Sequence, residues 1–396
     1  MTTSKPHIAI LGSGPTGLEA ALAASDAGFP FTLYEAAPEV AGNVRAWGHV
    51  RLFTPWDLNV SPRMRRHLPN APSSATECPT GNELVEKLLA PLAALPSIAP
   101  NLRLGTRVMA IGREGLLKHE EIATAERGRR PFRLVVAGPD GRERAESAAI
   151  VIDATGTYGN PNHLGDGGIP APGERAASGA IRRSIPDFSR EGTEWAGKTI
   201  LLAGAGHSAQ TAARDLAALA QSAPGTRVIW ALRSTEPGWG SHEGDPLPAR
   251  AELAAGAAAL ASGASPAVET RRGVSIDEIS RPNGKLKVVL RNGNGSEEVL
   301  VDRILALTGY VGDNDLYRQL QVHECYATCG PIKLSAALLG AAGGDCLTQT
   351  SHGVDTLTNP EPGFYILGIK SYGRTNTFLL RVGWDQVAEV FGALQG

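Results

Sequence analysis

Cysteine is scarce in this chain. Only Cys78, Cys325, Cys329 and Cys346 occur in 396 residues, too few and too scattered for a disulfide framework. Net charge is nearly absent as well, at -2 from 38 Lys+Arg and 40 Asp+Glu. That balance removes a general electrostatic case for binding nucleic acid or an anionic membrane. No apolar run reaches the roughly 18–20 residues that a membrane span needs. Met1 to Pro6 is short and polar, and a strand-like segment follows at once, so no signal peptide is expected. The default expectation is a cytoplasmic protein, and no metal site is expected. What the chain does have is glycine (47), proline (27) and a hydrophobic fraction of 42%, enough for ordinary globular cores. The length allows two or three domains.

The glycines cluster in an informative order. His7-Ile8-Ala9-Ile10-Leu11 is an apolar run of strand length, followed by Gly12-Ser13-Gly14-Pro15-Thr16-Gly17. A helix rich in Ala and Leu is expected over Leu18 to Ala27. A second β-run, Phe31 to Tyr34, ends in Glu35. In a strand–loop–helix unit Gly12 permits the tight turn, Gly14 lets backbone approach a pyrophosphate, and Gly17 lets helix and strand pack closely. The helix N-terminus favours phosphate charge. Glu35 stands about 20 residues after the loop, where a carboxylate accepts bonds from a ribose diol. A glycine turn in an unrelated α/β unit is the bland alternative, and the strand, helix and acid together argue against it. Pro15, Thr16 and Val108 are expected to line the same site.

The same grammar recurs in mid-chain. Lys198 to Ala203 is a strand, Gly204-Ala205-Gly206-His207-Ser208-Ala209 the loop, Gln210 to Ala220 a helix, and Val228 to Leu232 the next strand. This strand ends in Arg233, which suits the 2′-phosphate of NADPH where a carboxylate would repel it. The alternative is a solvated surface arginine. His207 is read as capping the turn rather than as catalytic. Each unit continues into a β-meander with an Asp-Gly or Asn-Gly turn. Each then closes on a returning strand that ends in Thr-Gly, Thr155-Gly156 in the first and Thr308-Gly309 in the second. The fold class expected is α/β, with two Rossmann-like domains, the second inserted into the first.

This order resembles the two-dinucleotide-binding-domain flavoproteins, which include glutathione-reductase-like enzymes and flavin-containing monooxygenases. Trp47 to Phe53, Pro79 to Leu84, Gly204 to Ala209, Pro362 to Tyr365 and Lys370 to Arg374 are similar to the flavoprotein-monooxygenase group of CzcO-like proteins. The resemblance implies FAD at the first loop and NAD(P)H at the second. Three departures stand out. The FxGxxxHxxxW monooxygenase fingerprint keeps Gly179 but has Ala177, Arg183 and Asp187 at its other positions. Cys325 and Cys329 are spaced C-x3-C, unlike the CxxC or CxxxxC of disulfide reductases, and lie beyond the second Thr-Gly strand in a segment with loop composition. Asp302 to Tyr310 partly matches the DxxxLATGY pattern of amine N-hydroxylases, with Ala306 and Leu307 exchanged.

Two segments are expected around the flavin ring. Gly42 to Pro62, with Trp47, His49, Arg51, Phe53 and Trp56, reads as a loop over the ring, or alternatively as an aromatic plug in a core. The second follows a strand from Phe364 to Gly368. There a helix from Thr377 to Leu394 would point its N-terminus, with Gly373 to Asn376, at the flavin pyrimidine. Arg374 and Thr377 are site candidates on that basis. Cys346, His352 and Tyr372 are catalytic candidates, against the bland reading of a loop histidine and a buried thiol.

The domains expected are FAD-binding over 1–160 and 305–396, a linker over 161–189, and NAD(P)H-binding over 190–304. An irregular stretch from Ser234 to Pro248, with Trp239, His242 and Asp245, is expected to cover the nicotinamide. The function expected is an FAD-dependent, NADPH-using monooxygenase. It would oxygenate a small soft nucleophile through a flavin C4a-peroxide, with O2 as co-substrate. An NADPH-dependent flavin or dithiol oxidoreductase and a nucleotide-binding redox sensor are the alternatives. Oligomeric state is left open.

Overall fold

A computed structural model describes residues 5–240, 245, 247–281, 284–340 and 351–396. Chain contacts divide it into two compact units, 1–160 with 311–396, and 161–310.

The first unit is built on a parallel sheet of β1 (Ile8–Leu11), β2 (Phe31–Tyr34), β3 (Leu102–Arg103), β7 (Ile150–Asp153) and β16 (Phe364–Ile366), in the order β16-β7-β1-β2-β3. All four residues of β1, β2 and β7 are buried, as in a parallel sheet covered on both faces. The helix Pro15–Asp26 packs against the C-terminal helix Leu380–Gln395, whose buried Val382, Gln386, Val387, Val390 and Phe391 share one stripe. An antiparallel meander of β4 (Arg107–Arg113), β5 (Phe132–Ala137) and β6 (Glu143–Ala148) lies on the other side of the unit's core, where Phe132, Leu134 and Val136 meet Ala9, Leu11 and Val151.

The second unit repeats the scheme. Its parallel sheet runs β11-β10-β9-β15-β8, from β8 (Ile181–Arg182), β9 (Thr199–Ala203), β10 (Arg227–Leu232), β11 (Val268–Arg272) and β15 (Arg303–Ala306). Its meander is β12 (Ser275–Ser280), β13 (Leu286–Asn292) and β14 (Gly295–Val301). Leu286, Val288 and Leu290 of β13 alternate inward, the period of two that a half-buried strand requires. The α/β fold with two Rossmann-like units is therefore as expected.

Several expectations shift. The first loop helix begins at Pro15 rather than Leu18, because a proline fits the first helical turn, where its missing N–H costs nothing. The second spans His207–Ser222. The stretch 161–189, expected as a linker, lies in the second unit. There Ile181–Arg182 adds a parallel strand to β15, and Glu174, Arg183 and Tyr310 tie the loop down. Glu174 accepts from the Leu164 and Ala171 backbone N–H groups, Arg183 donates to Glu174 and to the Asn162 carbonyl, and the Tyr310 hydroxyl donates to the Arg183 carbonyl. Arg183, which stands at the fingerprint's histidine position, is thus engaged in holding this loop. Gly42 to Pro62 is not one open loop. It contains short helices at Gly42–Ala46 and Trp56–Asn59, and Trp56 is buried in the core, which is the plug reading for that residue. No helix among the described residues is long and apolar enough to cross a membrane.

Candidate functional site

The first glycine loop has the close approaches its sequence requires. Gly12 has φ +95, and a Cβ there would lie 2.8 Å from the Ala154 carbonyl oxygen. A Cβ on Gly17 would lie 1.8 Å from the Gly12 oxygen. Gly14 differs, because a Cβ there meets nothing within 4 Å. The open space lies at the N-terminus of helix Pro15–Asp26, whose N-cap Gly14 brings no side chain of its own. N–H groups at a helix start beside open space are what a phosphate needs.

Glu35 is held rather than loose. Its Oε2 accepts from the Ser13 N–H (2.9 Å) and hydroxyl (2.6 Å), and its Oε1 accepts from Ala37 N–H (2.9 Å). The Ser13 hydroxyl in turn accepts from Ala41 N–H at 3.0 Å. The carboxylate is thus locked in orientation with acceptor capacity left on Oε1. The Glu35 carbonyl accepts from Thr106 N–H at 2.8 Å, which draws the start of β4, and so Val108, toward the acid.

A second cluster forms where β16 ends. Gly368 has φ +74, and a Cβ there would lie 2.8 Å from Thr16 Oγ1. A Cβ on Gly383 would lie 3.1 Å from Thr16 Oγ1 and 3.1 Å from the Phe378 ring. Tyr372 stacks edge-on against Phe378, with centroids 5.3 Å apart. The hydroxyls of Tyr372 and Thr377 are buried without a hydrogen-bond partner, as are Trp47 Nε1, His49 Nε2 and Trp384 Nε1 in the same unit. Buried polar atoms normally find partners, so each of these atoms has hydrogen-bonding capacity left for a ligand. Burial, followed by the nearby Asp385 charge, pushes the Tyr372 hydroxyl up to about 12, so at neutral pH it carries its proton.

The structure separates other candidates. The final helix starts at Leu380, three residues beyond Thr377. Gly373 and Arg374 are therefore not at its N-terminus. They turn instead onto Thr328, whose carbonyl accepts from Arg374 N–H at 2.7 Å. Arg51 is exposed and donates to the Cys78 carbonyl, with Glu83 3.9 Å away, so its charge is directed at that loop. Trp47 is half-buried beside Tyr158, with centroids 6.0 Å apart. His352 is half-buried next to Ser351, which donates to Glu389 at 2.7 Å. Cys346 and His242 lie outside the described residues.

Thr155 and Gly156 follow β7. The Thr155 hydroxyl donates to Asp153 Oδ1 at 2.7 Å, and Asp153 pairs with Lys370 at 2.6 Å. Lys370 Nζ also donates to the Asp313 carbonyl at 2.7 Å and sits 5.0 Å from the Tyr317 ring. Both partners of this ion pair are buried. Sequence reading gave Lys370 no role. It stood out only as the first residue of the Lys370 to Arg374 segment, after a short apolar strand, and no spacing rule connects positions 153 and 370.

In the second unit Gly204 has φ +125, with a Cβ position 2.2 Å from the Leu307 oxygen, while a Cβ on Gly206 meets nothing within 4 Å. Ala209 takes the third place and is fully buried. Gln210 donates to the Ala205 carbonyl at 2.9 Å and to the Trp239 carbonyl at 3.0 Å, and Trp239 stacks on Trp230 with centroids 5.3 Å apart. The segment after β10 thus folds back toward the N-terminus of helix His207–Ser222, where a Cβ on Gly240 would lie 3.1 Å from His207 Nε2. Ser208 lies in that first helical turn. Arg233 is exposed at the end of β10. Thr308 donates to the Asn162 carbonyl at 3.1 Å, and Gly309 has φ +85.

Residues 6–326 match the pyridine nucleotide-disulphide oxidoreductase family. The chain belongs to that family. Membership makes it an FAD- and pyridine-nucleotide-dependent oxidoreductase. Bacillithiol disulfide reductase from Bacillus cereus is similar over 99% of both chains, with a TM-score of 0.72 and 18% identity. A cadaverine monooxygenase of desferrioxamine biosynthesis from Erwinia amylovora, solved with FAD bound, is similar over 99% of this chain and 95% of its own, with a TM-score of 0.66 and 12% identity. Ornithine N-hydroxylase from Kutzneria sp. 744 is similar over 99% of both chains, with a TM-score of 0.62 and 14% identity. At these identities the likeness is one of fold. No curated protein sequence matches the chain.

Proposed function

We propose that this oxidoreductase is an NADPH-dependent FAD monooxygenase acting on a small soft nucleophile, a nitrogen, sulfur or metalloid centre, with O2 as co-substrate. The observation that carries the reading is the composition of the cluster around Thr16. Among the described residues that form it, Thr16, Tyr372, Thr377 and Phe378 supply hydroxyls and a ring, and none of these carries sulfur. A dithiol relay needs two sulfurs beside the flavin.

FAD bound at the first loop would accept hydride from NADPH and activate O2. The chain's own residues have separate tasks. Gly14 leaves room for phosphates at the helix N-terminus, and Glu35 offers its remaining acceptor site to a ribose hydroxyl. Arg233 provides a guanidinium for a 2′-phosphate. Tyr372 holds a proton on its hydroxyl and can donate a hydrogen bond into the site. Phe378 and Trp384 exclude water, which lengthens the life of reactive species.

A second reading, a dithiol oxidoreductase, is favoured by one contact: the Cys325–Cys329 turn rests on the Ser371–Arg374 segment. One experiment separates the two. NADPH oxidation is followed with and without O2 in the presence of primary amines and thioethers, and products are weighed. The monooxygenase reading expects O2-dependent product heavier by one oxygen atom. Oxygen-independent reduction of a low-molecular-weight disulfide, abolished in Cys325→Ser, would replace it with the dithiol reading.

A further inference from the structure

The segment from His323 to Ile332 is closed on itself. Cys325 N–H donates to the Gly330 carbonyl and Ile332 N–H to the His323 carbonyl, both at 2.8 Å. Inside it, Cys329 N–H donates to the Cys325 carbonyl at 2.8 Å. This is one α-type turn, stopped by Cys329 at φ +62 and by Gly330-Pro331. Helical geometry puts the Cα atoms of residues four apart about 6 Å from each other. That separation lies within the roughly 4.4–6.8 Å that a disulfide spans.

The two thiols have different surroundings. Cys325 is buried, and Cys329 is half-buried. The Thr328 hydroxyl and N–H, the Ala327 N–H and the Ser335 hydroxyl direct donors at Cys325 and hold its thiol below the ordinary range against the opposing effect of burial. Thr328 and Ser335 are themselves joined, oxygen to oxygen, at 2.6 Å. Tyr326, at the tip between the cysteines, is 99% exposed, so the turn reaches solvent.

The turn also presses on the cluster described above. The Thr328 carbonyl accepts from Arg374 N–H. A Cβ on Gly373 would lie 2.1 Å from the Thr328 oxygen, and one on Gly330 would lie 2.9 Å from the Ser371 oxygen. There is no slack between the two segments, and Tyr372 lies between Ser371 and Gly373.

We propose that Cys325 and Cys329 form a reversible disulfide within this turn when hydrogen peroxide reaches them, and that the bond slows turnover by displacing the Ser371–Arg374 segment. The Cys325 thiolate attacks one peroxide oxygen. The O–O bond breaks, hydroxide leaves, and a sulfenic acid remains. The Cys329 thiol then attacks that sulfur, its proton and the sulfenic hydroxyl leave as water, and the S–S bond forms. Peroxide is reduced by two electrons and the two thiols are oxidised by two. Bringing the sulfurs to bonding distance tightens the turn. Thr328 moves with it, and the contacts at Gly330 and Gly373 pass the movement to Tyr372. This inference rests on the oxygenase reading, in which neither cysteine carries turnover; loss of NADPH oxidation in the untreated double variant removes that reading, whereas a double variant that is active but inhibited by peroxide like the wild type removes only this inference.

The test uses the flavin-loaded full chain. Peroxide treatment is followed by alkylation of remaining thiols, peptide mass mapping, and the NADPH oxidation rate before and after dithiothreitol. In the wild type the 325–329 peptide is expected to resist alkylation and to lose the mass of two hydrogens, while the rate falls several-fold and recovers with dithiothreitol. Cys329→Ser stops at the sulfenic acid, which dimedone traps on Cys325. The double change Cys325→Ser, Cys329→Ser keeps its rate through peroxide treatment. Two alkylatable thiols after peroxide, a disulfide formed with no change in rate, or equal inhibition of the double variant each overturns the proposal.

Discussion

The two glycine loops follow one grammar and differ at two points. In the first, the third position is Gly17, and no side chain fits because the Gly12 oxygen lies 1.8 Å from where a Cβ would be. In the second, Ala209 fills that place, its methyl 3.5 Å from the Cβ position of Gly204. Helix and strand therefore pack more closely in the first unit. The strand ends differ more. Glu35 is fixed by three hydrogen bonds from Ser13 and Ala37, whereas Arg233 is exposed, with no ion pair among the described residues. On the proposed reading, the first site is preorganised for one ligand orientation, and the second leaves its charge to be ordered by whatever binds. Preorganised groups cost less to engage. The first cofactor is accordingly expected to be the tightly held one, and the second to come and go.

The sharpest way to break this comparison is to fill the open glycines. A Cβ at Gly14 or at Gly206 meets nothing within 4 Å, so Gly14→Val and Gly206→Val should both fold. Gly14→Val is expected to purify without flavin. Gly206→Val should keep its yellow colour and lose reduction by NADPH. Flavin absorbance and a stopped-flow trace check both, and full flavin content in Gly14→Val would remove the assignment of the first loop.

A smaller effect compares the buried acids of the two units. Glu361 lies fully buried between Arg113 (2.6 Å) and Arg127 (2.8 Å) and also accepts from Gln321 N–H at 2.7 Å. Although burial pushes the Glu361 carboxyl up, its bonds to Arg127, Gln321 and Arg113 hold it below the usual carboxylate range. Glu361→Ala leaves two guanidiniums buried and should cost about 3–5 kcal/mol. Glu174→Ala in the second unit should cost less, about 1–3 kcal/mol, because Arg183 can still reach water. Urea midpoints measure both, and equal losses would remove the distinction.

An effect confined to one nucleotide sharpens the difference at the strand ends. Arg233→Ala is expected to weaken NADPH by about 1.5–3 kcal/mol, roughly ten- to a hundredfold, and to leave NADH nearly unchanged. Equal use of both nucleotides by the wild type would make Arg233 a surface arginine only.

Much of this was legible in the sequence for a local reason. Strand, glycine loop, helix and strand-end residue are contiguous, and each glycine's role follows from the turn it must make. Gly12 and Gly204 announced their positive φ because only glycine is at ease there. The meanders were readable from alternation and from Asp-Gly and Asn-Gly turns. The periodicity of the last helix was readable too, but its start was not. Leu379 is extended where the helix starts, and Phe378 lies against Gly383, a packing that propensity does not see.

The sequence by itself therefore determined the two-Rossmann architecture and the order of its parts, because these rest on short-range stereochemistry and periodic burial. Only the tertiary structure decided which distant groups meet. It joined Lys370 to Asp153, Glu361 to Arg113 and Arg127, Thr16 to Gly368 and Gly383, and the Cys325–Cys329 turn to Ser371–Arg374. These partners are separated by tens to hundreds of positions along the chain. Such pairings arise when sheets close and helices dock, and the chain carries no local periodicity or spacing that records them.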